Sequence, residues 1–314
     1  IAPLLLFVVV TFVVPIISML FRSVENDIVP VTLPGVVTEL AQWDSSTGTA
    51  PSEDVFRNLY IDLFKASEAK QHTRLGTRLN YEQTGLSSLF RTTGRGLDDI
   101  GEEWQDPLED IDANFKDGAF WFEMMSGSDG DSLLEDRRDL WAELIGESMA
   151  GDVGFVPSGQ VAEMLPWTSR AYTDFAIWTA LADNDVVAEE DPWEAVYGAL
   201  GMDLTNPDTV NAIGRYTGPG ADALKAAVAN LDMLPQDGFR EAFAAENEDW
   251  VSPEVWATIK LYSPSVTPGY FLNAIDMELT PDGIEQKPEN EQIYTQLFIR
   301  TLVMALIITA SCIV

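Results

Sequence analysis

Residues 1–21 contain no charged side chain, and Arg22 closes the run. At the α-helical rise of about 1.5 Å per residue, such a stretch reaches about 31 Å, the thickness of a bilayer's hydrocarbon core. Fifteen of the twenty-one residues are Leu, Ile, Val or Phe. Insertion is therefore favoured by roughly 4.5–9 kcal/mol before prolines and helix ends are counted. Soluble core helices seldom run this long without a polar side. A signal peptide has a shorter apolar region followed by small residues at a cleavage site, whereas Arg22-Ser23-Val24-Glu25 follows here. The stretch predicts a transmembrane helix over residues 1–22, with Arg22 at the membrane boundary. Pro3 falls in its first turn and Pro15 predicts a kink.

A second uncharged run, residues 301–314, follows Arg300. Fourteen residues are too few to span, so residues 289–314 are expected to form a helix that enters a second, truncated transmembrane helix, with Arg300 at its boundary. The chain then reads as the opening part of a longer membrane protein.

The stretch between Arg22 and Arg300 holds all fifty-one acidic residues but only sixteen of the eighteen basic ones, a formal charge of −35. That balance argues against nucleic acid or an anionic membrane surface as partner, since both need basic patches. A solvated acidic surface is the plain explanation; a cation-attracting vestibule is the other. Cys312 is the only cysteine, so no disulfide can form between the runs. The single histidine, His72, sits in the polar context KQHTR and is expected at the surface.

Prolines 30, 34 and 51 suggest an extended exit from the first span, with one short helix near residues 36–43. Ser52 caps a helix whose stripe is Val55, Phe56, Leu59, Tyr60, Leu63 and Phe64, and a second helix is expected over residues 86–100. Residues 126–131 (SGSDGD) read as a flexible connection, admitting a subdomain boundary there. A further amphipathic helix is expected over residues 133–145. Asp191-Pro192, Asn206-Pro207, Ser252-Pro253 and Thr267-Pro268 each place a capping residue before a proline, the pattern of a helix start. The fold class that follows is mainly α: a transmembrane helix, a large acidic helical loop over residues 23–288, and the start of a second transmembrane helix.

No GxxxxGK[ST] loop, HExxH pair, Cys/His cluster or GxSxG elbow is present, so P-loop nucleotide binding, zinc-hydrolase chemistry and serine-hydrolase chemistry have no residues to carry them. Residues 183–194 imitate a calcium loop at Asp183, Asp185 and Glu194, but Val187 and Ala188 stand where an oxygen ligand and a glycine are needed. No catalytic residue, cofactor site or metal site is assigned, and no enzyme activity is expected of this chain.

Three segments carry a family resemblance. APLLLFVVVTFVVPIISMLFRSVEN (residues 2–26) resembles the opening span of permease subunits of binding-protein-dependent ABC transporters, in particular the spermidine/putrescine-type branch. TRLNYEQTGLSSLFRTTGRGL (77–97) and NEQIYTQLFIRTLVMALIITASC (290–312) resemble the loop and return-span entry of a large-loop subset of those permeases. The resemblance implies a multi-pass subunit of a bacterial plasma membrane, its acidic loop extracytoplasmic, importing a small solute for which a polyamine is one candidate. Implied partners are a second permease subunit, cytoplasmic ATPase subunits that hydrolyse ATP, an extracytoplasmic solute-binding protein and the bilayer. The alternative is a membrane receptor whose two spans bracket an extracytoplasmic sensory domain.

Overall fold

Ser52 leaves an extended backbone and the chain enters a sixteen-residue helix that is buried on nearly every side. The computed structural model describes residues 6–7, 9–22, 24–127, 154–280, 283–289 and 292–313. In chain order the helices are α1 (Val14–Arg22), α2 (Ile28–Thr32), α3 (Pro34–Leu40), α4 (Glu53–Glu68), α5 (His72–Leu79), α6 (Leu86–Ile111), α7 (Gly118–Ser126) and α8 (Gly159–Met164). There follow α9 (Pro166–Trp178), α10 (Glu194–Leu204), α11 (Pro207–Arg215), α12 (Ala221–Ala229), α13 (Phe239–Glu246), α14 (Pro253–Leu261), α15 (Gly269–Asn273) and α16 (Ile293–Ile313). One antiparallel hairpin, β1 (Met277–Thr280) with β2 (Gly283–Gln286), pairs Met277 with Gln286 and Thr280 with Gly283. The protein is mainly helical, as the periodicity predicts.

Two helices form the centre. α4 buries both the predicted stripe and Asn58, Ile61, Asp62 and Ala66, while α10 buries every residue from Ala195 to Leu204. Two glycines on α10 make that close packing feasible. A Cβ at Gly198 would lie 2.7 Å from the Tyr60 ring, and one at Gly201 would lie 2.1 Å from the Trp104 ring. Aromatic contacts then run without a break from Trp256 through Phe56, Phe243 and Trp250 on one side. On the other they pass from Tyr60 through Phe64, Trp193, Phe175 and Tyr172 to Trp121. Trp121, before residues 126–131, therefore shares a core with Tyr172 and Tyr197 after them. Most of the predicted boundary, and the whole of the helix expected over 133–145, lie outside the described residues.

Several expectations change. α6 runs on to Ile111 because Trp104 and Leu108 continue its buried stripe beyond Ile100. The exit after α1 holds α3, the short helix expected near residues 36–43, but is not extended before it, since α2 precedes α3. His72 is not at the surface: it is 9 % exposed, and α5 packs so closely on α6 that a Cβ at Gly94 would meet its ring at 2.6 Å. Burial lowers the His72 pKa and so favours the neutral imidazole.

The two apolar runs project from this core with none of their described side chains buried. Before Pro15 the backbone widens into a π-helical turn, Val9–Val13. Such a turn accommodates a residue that lacks an amide proton and crowds the preceding turn. Among the described residues one helix is long and apolar enough to cross a membrane, Ile293–Ser311; the N-terminal stretch qualifies only as a shorter apolar helix, Val9–Met19. The second run is thus longer than the fourteen residues after Arg300. It is continuous from Ile293, and exposed Ile293, Tyr294, Leu297 and Phe298 extend its apolar surface ahead of the arginine.

Candidate functional site

Helix starts dictate where the charged groups go. The Asn206-Pro207 start is capped as predicted, with Asn206 Oδ1 accepting from the Asp208 amide at 2.9 Å. The Thr267 hydroxyl accepts from Gly269 N at 3.2 Å. Ser252 precedes α14 but turns its hydroxyl to Glu254 Oε2, and after Asp191-Pro192 the helix begins only at Glu194. Two other helices begin at Leu-Pro, Leu33-Pro34 and Leu165-Pro166, where the preceding side chain cannot accept a hydrogen bond. Remote carboxylates supply what leucine lacks. Asp62 Oδ2 accepts from Val36 N at 2.9 Å at the start of α3. Asp203 accepts from Trp167 N (3.2 Å), Thr168 N (2.8 Å) and the Thr168 hydroxyl (2.7 Å) at the start of α9. Glu53 does the same for Phe239 N and Arg240 N of α13, and Asp276 for Tyr294 N and Thr295 N of α16.

Asp62 brings a cation with it. Arg170, on α9, donates from Nη2 to Asp62 and from Nη1 to Asn58 Oδ1 at 2.8 Å. Asp62 is 2 % exposed and Arg170 34 %, so the carboxylate lies under the guanidinium. Burial pushes Asp62 up to about 6, against the opposing pull of Arg170 and the amides of Val36 and Gly35. One turn away, Lys65 of α4 pairs with Asp174 of α9. These two ion pairs lie along a cleft of about 650 Å³ between α4 and α9, lined also by Val31, Thr32 and Pro34. It continues past Thr32 and Gln71 into a recess of about 270 Å³ beside Asp27 and Arg74. A volume of several hundred Å³ with apolar walls and a few convergent polar groups is the form of a small-molecule site.

The recess ends near the junction of body and apolar helices. There Glu25 bridges to Val266, Asn26 N donates to Ser265 O and Thr267 N donates to Val24 O. Buried Asn26 also donates from its side chain to the carbonyls of Tyr262 and Pro264. The Tyr262 hydroxyl donates to Glu82 Oε2 at 2.7 Å, and Glu82 accepts from Arg78 at 2.7 Å. Segments 2–26 and 77–97 therefore meet at Tyr262, while Asp276 fixes the start of the helix in segment 290–312.

Of the two residues assigned to membrane boundaries, Arg22 ends α1 and is exposed. Arg300 is exposed but stands within α16, seven residues after its start. Neither makes an ion pair among the described residues, and nothing brings them into one site. Sequence reasoning missed Asp62, Lys65, Arg170 and Asp174. The available signal was spacing: Asp62, Lys65 and Ala66 share a face of α4, as Pro166, Arg170 and Asp174 share one of α9. Comparison with protein-family models, curated proteins and solved structures finds no match for this chain.

Proposed function

We propose that this chain is the membrane-anchored, loop-bearing part of a permease subunit of an ABC importer for a small solute, with a polyamine among the candidates. In this reading the N-terminal apolar run over residues 1–22, which ends in α1, and α16 cross a bacterial plasma membrane, and the acidic helical body stands outside it. A second permease subunit and cytoplasmic ATPases complete the pathway, and a solute-binding protein delivers to it; ATP hydrolysis belongs to the partners.

The observation that carries the reading is the junction. Two helices with exposed apolar side chains are tied to one body, α1 through the hydrogen-bonded contacts of Asn26 with Tyr262 that follow it and α16 through the Asp276 cap at its start. Apolar surface of that extent is stable only when covered, and helices apolar all round belong in lipid or in a core. The sided test uses single cysteines on a Cys312→Ser background, at exposed Met233 in the body, and a membrane-impermeant maleimide on intact cells. Labelling of Met233→Cys from outside is expected. Labelling only after the membrane is opened, or recovery of the chain in the soluble fraction, overturns the reading.

A receptor is favoured by a different observation, the cleft between α4 and α9, because a sensory domain needs a ligand site. Copurification of an ATPase subunit with the full-length gene product separates the two.

A further inference from the structure

The cleft between α4 and α9 is the one recess among the described residues lined by two acidic and two basic side chains. Lys65 and Arg170 face Asp62 and Asp174, in a chain whose net charge is −33. The recess beyond repeats the balance with Arg74 and Asp27. Within the cleft the four groups are not equally occupied. Asp62 is buried and committed to the Val36 amide and to Arg170. Arg170 has five N–H donors, of which Asn58 and Asp62 take one each. Lys65 and Asp174 bond each other through one Nζ donor and one carboxylate oxygen, leaving ammonium protons and a second oxygen for a ligand.

Arg170 and Asp174 are four residues apart on α9, so their side chains leave one helix face about 5–6 Å apart at Cβ. Lys65 reaches in from α4 opposite. A donor set and an acceptor thus stand one helical turn apart, and between them the walls are Val31, Pro34, Pro166 and Trp178. A net anion would have to approach through the field of the acidic body, and a net cation, though drawn by that field and by Asp174, would leave the remaining donors of Lys65 and Arg170 without an acceptor. A molecule bearing both charges, neutral overall, avoids both penalties.

We propose that this cleft binds a small zwitterion with an apolar side chain, its carboxylate on Arg170 and Lys65, its ammonium on Asp174, and its side chain against Pro34 and Trp178. The proposal holds whether or not the two apolar runs cross a bilayer, and its test does not depend on transport.

The test titrates the full chain in detergent micelles with L-leucine, 4-methylpentanoate and 3-methylbutylamine, following tryptophan fluorescence and the unfolding midpoint up to about 10 mM ligand, where affinities of millimolar order are readable. L-leucine is expected to saturate and raise the midpoint, with each half-ligand at least about tenfold weaker. Lys65→Met and Asp174→Asn are each expected to weaken L-leucine about tenfold, the loss of one charged contact, with unchanged far-ultraviolet circular dichroism. Lys225→Met, outside the cleft, should bind as the parent does. Arg170 is left intact because it neutralises Asp62. Absence of L-leucine binding, tighter binding of the amine than of L-leucine, or equal binding by both cleft variants and the parent overturns the proposal.

Discussion

Asp203 and Asp62 show how one side chain can do a job that its neighbours in sequence cannot. Each is a buried carboxylate placed at the start of a helix that opens on Leu-Pro. For Asp203, burial raises the pKa to about 6, above the usual 3.8, against the hydrogen bonds from Thr168 and Trp167. A carboxyl whose folded pKa is raised takes up its proton more readily in the native state. Its contribution is therefore fully present below about pH 4 and is lost as pH rises through 6. Asp62 titrates in the same window. The unfolding midpoint should rise as pH falls from 7.5 to 5, and Asp203→Asn, which keeps an acceptor oxygen but cannot ionise, should flatten that slope. A parent midpoint independent of pH over this range would contradict the assignment. Tyr60 makes the complementary point: its hydroxyl is fully buried and has no hydrogen-bond partner among the described residues. Tyr60→Phe removes an uncompensated polar group and should stabilise the body by about 1 kcal/mol in denaturant titration. Neither environment was legible in sequence. Asp62 and Asp203 are two carboxylates among fifty-one acidic residues, and only their depth distinguishes them.

Among elements, α10 is the most demanding. It has no polar face to offer water, and it approaches α4 and α6 through Gly198 and Gly201. Gly201→Ala would place a methyl group 2.1 Å from the Trp104 ring. The ring is held between α10 and stacked Phe239, centroids 5.5 Å apart, so it has little room to retreat. Overpacking of this kind should cost about 1–3 kcal/mol, read as a lower unfolding midpoint with helicity retained. α16 depends on a cap from outside itself. The amides of Tyr294 and Thr295 end on Asp276, whose carboxyl sits below the ordinary aspartate value because these hydrogen bonds outweigh its burial. In Asp276→Ala, exchange at these two amides should quicken while exchange within α4 stays as it was; equal protection in both proteins would show that the cap is dispensable. Sequence pattern located α4, α11 and α14 through their stripes and proline starts. It passed over α9, whose first turn carries no local capping residue, and cut α6 short.

For the whole molecule, the decisive contact is Asn26, because it ties the segment after α1 to the segment before α15. Asn26→Ala would leave two carbonyls without that donor and should destabilise the body by about 1–3 kcal/mol. Residues 262–267 should become cleavable in limited proteolysis; unchanged resistance would mean that the backbone pairing at Glu25–Val266 suffices. Composition and pattern were enough to give two apolar helices flanking an acidic, mainly helical body, because uncharged runs and helical stripes are local properties that each segment carries alone. The burial of His72, the four carboxylates that cap distant helices and the cleft with its paired charges depend on residues up to 187 positions apart in the chain. Such contacts exist only after α4, α9 and α10 have packed. Charge chemistry is then set by depth and neighbours rather than by the identity of the residue.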